Sequence, residues 1–271
     1  AQAVVAAISA KDDAGMAGIH LEGPHIAPGR RGTHALEHVR KLDNHTLAAV
    51  EHLAANAVPT LITVAPEMVT VKQIATLTNM GAIVSLGHTD ASAQVMAAAF
   101  DAGASCATHL FNAMSPMLGR APGAVGAAIN STAYVGLICD GHHVSDDMVA
   151  LAIRARPVPD RMMLVSDAMP TVGGADQFDL YGQTITLDNG RLVNREGSLA
   201  GAHTTQLAGV KRLVENSITP LDEALRMAIT NPANCIGKPA LASMLNRPVS
   251  ELIMLDENLF LVDGLQSMLC A

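Results

Sequence analysis

Glu22, His88, His109 and Asp167 lie far apart along the chain, yet each stands at or just past the end of an apolar run. One carboxylate and two imidazoles make a donor set for a divalent cation. Carboxylate oxygen and imidazole nitrogen suit zinc first, and also iron, manganese or cobalt. Three protein ligands leave a position for water, and a bound cation acidifies that water. Asp167, ending the last of the runs, is placed to take such a proton and hand it to a leaving nitrogen. Each residue alone has a plainer use. A lone His at a strand end is commonly a hydrogen-bonded structural group, Glu22 before Gly-Pro suits a turn, and Asp167 suits a cap. Their joint placement, together with Asp140 and His143 at a fifth run end, favours a site. His20 shares a strand face with Glu22 and reads as an interior polar partner, not a ligand. His25 and His38 read as surface residues. Arg30 and Arg31 in "GRRGTH" read as solvated, whereas Arg120 in "GRAPG" is a candidate anion contact.

The elements that must position these groups are short apolar runs, each followed by a helical stretch. The runs are "GIHLEG" (18–23), "PTLITVAP" (59–66), "AIVSLGH" (82–88), "CATHLFNA" (106–113), "YVGLICDGHH" (134–143) and "MMLVSDA" (162–168). Helical patterns cover 46–56, 69–80, 91–102 and 145–155, with Ser92 as a cap and Gly103 as a terminator of the third. Alternating strands and helices predict a parallel sheet, and runs apolar on both faces predict one buried on both sides. In a TIM-type (β/α) barrel, strand ends converge on one rim where catalytic groups are built. After Asp167 the pattern changes. "FDLYGQTITLDNGRLVN" alternates, with Asn189-Gly190 as a hairpin turn. Two helices then follow, in "HTTQLAGVKRLVEN" and "PLDEALRMAITNPANCIG". The tail "ELIMLDENLFLVDG" predicts two short strands around a turn. The opening "AQAVVAAISAKDDAGM" reads as helix.

Composition sets outer bounds. The 271 residues are 49% hydrophobic and only 15% charged, which excludes a disordered chain. The formal charge of −8 argues against nucleic acid and against an anionic membrane surface as partners. No apolar run approaches the roughly 20 residues that span a bilayer, and no basic segment leads an apolar one as in an export signal. Cys106, Cys139, Cys235 and Cys270 show no C-x-x-C spacing and read as free thiols of a cytoplasmic protein.

"HLEGPHIAPGRRGTH", "APEM", "SLGHTDAS", "ATHLFNAMSPMLGRAPG", "DGHHV", "LVSDAM" and "GSLAGA", in this order, resemble the N-acetylglucosamine-6-phosphate deacetylases of the amidohydrolase superfamily. The resemblance runs from about Gly18 to about Gly237. It implies Glu22, His88 and His109 as ligands of one divalent metal and Asp167 as catalytic acid/base. It implies substrate contacts at Thr33 and His34, with His34 helping to polarise the acetyl carbonyl. Further substrate contacts follow at Asn112, Ala113, the loop Asp140, Gly141, His142 and His143, and Leu199, Ala200 and Gly201. Arg120 matches a phosphate contact that reaches the neighbouring active site of a homodimer. The implied reaction is deacetylation of a phosphorylated amino sugar.

The resemblance also implies departures. The family carries a long region before the "HLEGP" strand, so the chain is expected to be N-terminally truncated, with about six of eight barrel strands. The expected division is an incomplete barrel over 1–237 and a remnant of a small β-sandwich over 238–271. Three alternatives stay open: N-acetylgalactosamine-6-phosphate deacetylation, another amidohydrolase activity such as cyclic-amide hydrolysis or nucleobase deamination, and a catalytically silent fragment.

Overall fold

The computed structural model describes residues 1–9, 15–248 and 252–262. Helix α1 (Gln2–Ser9) buries no side chain. From β1 (Ile19–Glu22) onward, helix and strand alternate: α2 (Asn44–Ala55), β2 (Thr60–Val64), α3 (Val71–Asn79), β3 (Ile83–Leu86), α4 (Ala93–Asp101), β4 (Cys106–Ala107), α5 (Gly123–Asn130), β5 (Tyr134–Leu137), α6 (Asp146–Arg154) and β6 (Met162–Leu164). Every neighbouring pair is parallel and consecutive in sequence, so the sheet runs β1 to β6 in order. This is the strand order of a (β/α) barrel, with six strands among the described residues. Each expected apolar run holds one strand.

Local chemistry explains the helix starts. Asp43 caps α2 through the Thr46 N–H, and Ser92 caps α4 through the Val95 N–H. Thr70 and Gln73 form a reciprocal capping box on α3. Gly103, with φ of 112°, ends α4 as expected. Helix α5 has no counterpart in the sequence reading. Six of its eight residues are buried and small or apolar, so it has no polar face to create a helical period.

The core lies where the helices cover the sheet. Ile62, Val64, Val84, Leu86, Val135 and Leu137 have no solvent exposure. Beneath the rim runs a chain of polar side chains. His20 Nε2 meets Thr63 Oγ1 at 2.7 Å, Thr63 meets Thr108 at 2.6 Å, and Thr108 meets Ser85 at 2.6 Å. These groups stitch β1, β2 and β3 to the residue just past β4. His20 is the polar partner that was expected, bonded to Thr63, but it is exposed at the β1 edge and not interior.

The β6 edge is closed by side-chain amides. Asn231 Nδ2 donates to the Met162 carbonyl at 2.8 Å and Gln206 Nε2 to the Leu164 carbonyl at 2.9 Å. Such bonds remove the acceptors an edge would offer to another strand.

A second, antiparallel sheet follows: β7 (Gln177–Leu180), β8 (Gln183–Asp188), β9 (Arg191–Val193) and β10 (Leu199–Ala202). Its small core is Ile185, Leu192 and Ala200. Asn189-Gly190 forms the expected two-residue turn. The chain then returns through α7 (Gln206–Glu215), α8 (Leu221–Leu225), a π-helical turn (Arg226–Thr230) and α9 (Asn231–Cys235). A single helix was expected across the last three. Pro232 has no N–H to give, and the Asn231 N–H reaches back five residues to the Arg226 carbonyl, widening one turn.

Several expectations need correction. His25 is fully buried, not on the surface: its Nδ1–H donates to the Arg40 carbonyl and Nε2 accepts from the Thr46 hydroxyl. Arg30 is not simply solvated but pairs with Asp90 at 2.6 Å. Arg31 donates to the Gly32 and His34 carbonyls. The tail shows one isolated bridge, Leu255 to Leu261, rather than two strands among its described residues. The opening helix is seen as far as Ser9, and its expected continuation through 10–14 lies outside the described residues, as do Cys270 and the ends of the tail. Cys106, Cys139 and Cys235 are free and buried. No described helix is long and apolar enough to cross a membrane.

Candidate active site

Three strand ends bring three donor atoms to one point. Glu22 Oε1 lies 3.2 Å from His88 Nε2 and 3.0 Å from His109 Nε2, and the two ring nitrogens are 3.0 Å apart. Ion–ligand bonds of about 2.0–2.1 Å in tetrahedral directions would set donor atoms roughly 3.3 Å apart. The observed spacing therefore fits donors that share a single small cation. Both imidazoles are buried, at 7% and 6% side-chain exposure. Two ring nitrogens aimed at the same carboxylate oxygen make poor mutual partners but a natural ligand set. The His88 Nδ1–H donates to the Arg30 carbonyl at 2.7 Å, which orients the ring so that Nε2 faces Glu22.

The backbone at these positions is unusual. His88, His109 and Asp167 all take the left-handed conformation, with φ of 49°, 25° and 50°. Such φ values are costly for residues other than Gly and persist where the surroundings enforce them. Here the enforcement is visible. Ala27 donates to the His88 carbonyl at 2.8 Å, Asn112 to the His109 carbonyl at 3.0 Å, and Ala202 to the Asp167 carbonyl at 2.8 Å. The turn at each strand end swings the side chain into the mouth.

Burial alone would raise the Glu22 carboxyl, but hydrogen bonds from His109 and His88 outweigh it and hold the group ionised well below the ordinary range. Burial would lower His109, yet Glu22 and then Asp167 raise it. For Asp167 burial dominates and pushes the carboxyl upward, opposed by the charge of His109. That direction moves a carboxylate toward the range useful for proton transfer near neutral pH. Burial, then the charge of His88, lowers His34, so its ring is neutral and can donate one hydrogen bond.

The donors open into a cavity of about 300 Å³. Of the residues singled out from sequence, Thr33, His34, Asn112, Ala113, His143, Asp167, Leu199 and Gly201 line it alongside the three donors. Others do not. Asp140 lies behind His143, accepting from its Nδ1–H at 2.7 Å and from the backbone N–H groups of His142 and His143. It acts by orienting that ring. Gly141 packs under the guanidinium of Arg212, which Asp146 holds with two hydrogen bonds, and any side chain there would collide with it. His142 is exposed beside Gly190. Ala200 points into the core of the small sheet because it alternates with Leu199 and Gly201. Arg120 is exposed on the tip between Leu118 and Ala121.

Gly32, Met169, Leu180 and Tyr181 also line the cavity and were not foreseen. The "LYGQ" turn was the available signal for the last two, since a Gly between alternating runs marks a hairpin.

A parallel βα sheet that gathers a carboxylate, two imidazoles and an aspartate at one rim defines an amidohydrolase-type barrel. No protein-family model matches the chain. The chain is 36% identical over 246 residues to N-acetylgalactosamine-6-phosphate deacetylase of Shewanella sp. (strain ANA-3), covering 90% of this chain and 62% of that protein. It is also 36% identical to N-acetylglucosamine-6-phosphate deacetylase of Haemophilus influenzae, covering 81% of this chain and 58% of that one. A solved variant of N-acetyl-D-glucosamine-6-phosphate deacetylase from Mycobacterium smegmatis, in complex with N-acetyl-D-glucosamine-6-phosphate, superposes with a TM-score of 0.83 at 32% identity, over 95% of this chain and 69% of that one. The chain belongs to the N-acetylglucosamine-6-phosphate deacetylase family. It spans about 60% of the length of the two curated relatives.

Proposed function

We propose that the chain carries the catalytic centre for deacetylation of an N-acetyl amino sugar 6-phosphate, giving acetate and the amino sugar phosphate. The observation that carries this reading is the convergence of Glu22, His88 and His109 on one point beside Asp167. One divalent ion held by these three, zinc by preference and otherwise iron, cobalt or manganese, would supply Lewis acidity at the cavity mouth. Asp167 takes a proton from the attacking water and returns it to the leaving nitrogen. Neutral His34 donates to the acetyl oxygen, where charge develops. His143, held by Asp140 with Nδ1–H turned inward to the carboxylate, presents Nε2 to the sugar. Thr33, Asn112, Ala113, Leu199 and Gly201 shape the remaining wall.

Arg120 sits outside the cavity on an exposed tip with Met117 and Leu118, which supports a homodimer in which it reaches the phosphate in the neighbouring site. A division into a catalytic unit over 1–237 and a small β remnant over 238–271 belongs to the same proposal; the Leu255–Leu261 bridge is the only β pairing among the described residues of the second segment. Buried free thiols support a reducing, cytoplasmic setting.

Acetate release from N-acetylglucosamine 6-phosphate by the metal-loaded chain tests the reading. Asp167→Asn is expected to lower kcat by about 10²–10⁴, and omission of the substrate phosphate to raise KM. Equal turnover of N-acetylglucosamine would remove the phosphate assignment, and no turnover would favour a silent fragment. The galacto epimer belongs in the same assay, because relatives of both names are equally similar to the chain.

A further inference from the structure

The small antiparallel sheet contains two hairpin turns of the same geometry. Asn189-Gly190 joins β8 to β9 with φ of 49° and 81°. Tyr181-Gly182 joins β7 to β8 with φ of 50° and 75°. Both are two-residue turns with positive φ at each centre, the geometry that favours Asn, Asp or Gly first. Asn189 follows that preference. Tyr181 breaks it, and a bulky residue in the left-handed region is a true outlier. The cost is not recovered by burial, since Tyr181 remains 53% exposed.

The difference between the turns is what they face. Tyr181 lines the cavity that contains Glu22, His88, His109 and Asp167, and it lines the smaller adjoining hollow beside His34 and His38. The His38 ring stands 6.0 Å away at 60°, an edge contact that steadies the phenol from the opposite loop. We infer that Tyr181 is a binding residue that lays its ring against the C–H face of the substrate's sugar. The polarised C–H bonds of a pyranose meet the negative face of an aromatic ring, and the phenol stays half-exposed where it lines the cavity. This rests on the deacetylase reading above and adds the residue that grips the sugar from the hairpin side.

The chain has no Trp and two Tyr, so tyrosine emission is nearly a site-specific probe. Tyr134, the other, lies under the Arg161 guanidinium. In a Tyr134→Phe, Asp167→Asn background, where turnover is slowed, titrating zinc-loaded protein with N-acetylglucosamine 6-phosphate is expected to give a saturable change in emission. Calorimetry in the Asp167→Asn chain, wild type at the remaining positions, then separates roles. Tyr181→Phe should retain affinity. Tyr181→Asn, which supplies the residue the turn prefers and should preserve or improve folding, should weaken binding roughly three- to tenfold. Unchanged affinity in Tyr181→Asn while the parent Asp167→Asn chain binds overturns this inference and leaves the deacetylase reading standing. The same emission change with inorganic phosphate alone also overturns it. Failure of the parent chain to bind the sugar phosphate overturns the underlying reading, and the inference with it.

Discussion

The two walls of the cavity are held in different ways. On the parallel-sheet wall, His88 and His109 are almost fully buried, with Thr63, Thr108 and Ser85 linked beneath them and helices packed behind. On the antiparallel wall, Leu180 and Tyr181 project from a four-stranded sheet whose core is three residues. The first wall fixes donor atoms that must agree to a few tenths of an ångström. The second presents surface to a ligand and has less behind it. The contrast places the positional demand on the wall with the deeper core.

The largest expected effect lies in the first wall. His109→Ala removes one of three donors and should abolish tight metal binding, lowering turnover on the order of 10³-fold. Metal content by elemental analysis and acetate release check it, and full occupancy in the variant would break the comparison. Truncating the two cores compares the walls directly. Leu86→Ala, within the barrel core, should cost about 2–5 kcal/mol, whereas Ile185→Ala should fall at or below the lower end because its smaller core can collapse. Urea unfolding followed by circular dichroism reads both, and equal costs would remove the distinction.

The smallest effect concerns acid. Burial alone would raise Asp140, but hydrogen bonds from the His143 ring and the backbone of His143 and His142 overcome it and hold the carboxyl below its ordinary range. The unfolded chain therefore takes up this proton at higher pH than the folded one. The stability contributed is complete above about pH 4–5, begins to fade at the ordinary carboxylate value, and is lost as pH falls on toward the depressed folded value. Asp140→Asn should cost about 1–3 kcal/mol at pH 7, with the deficit shrinking toward pH 3. A deficit constant with pH would show that Asp140 serves only as a packed shape.

The first wall was largely legible in the sequence; of the second, Leu199, Gly201 and the Asn189-Gly190 hairpin were legible, whereas Leu180 and Tyr181 were not. Glu22, His88, His109 and Asp167 announce themselves because ionisable residues end otherwise apolar runs, and strand ends in a βα repeat share a rim. Thr33, His34, Asn112 and Ala113 came through motif resemblance. His25 was misplaced because nothing local reveals that Arg40 and Thr46 would enclose it. Helix α5 was invisible for want of a polar face. Asp140 was taken for a substrate contact because sequence order cannot tell a group in the cavity from the one behind it. Tyr181 hid in a turn whose tertiary neighbours lie far away in sequence, at His34 and His38.

The bond from the His88 ring to the Arg30 carbonyl has a thermodynamic corollary. Arg30 lies two residues before Gly32, the first of three consecutive cavity residues that end at His34. An ion held at His88 would favour the imidazole orientation that this carbonyl selects, and with it the placement of the segment that follows Arg30. By reciprocity, a ligand that favours the same placement would tighten the hold on that ion by the same factor. Ligand and cation should therefore bind with positive cooperativity, transmitted through a single main-chain oxygen.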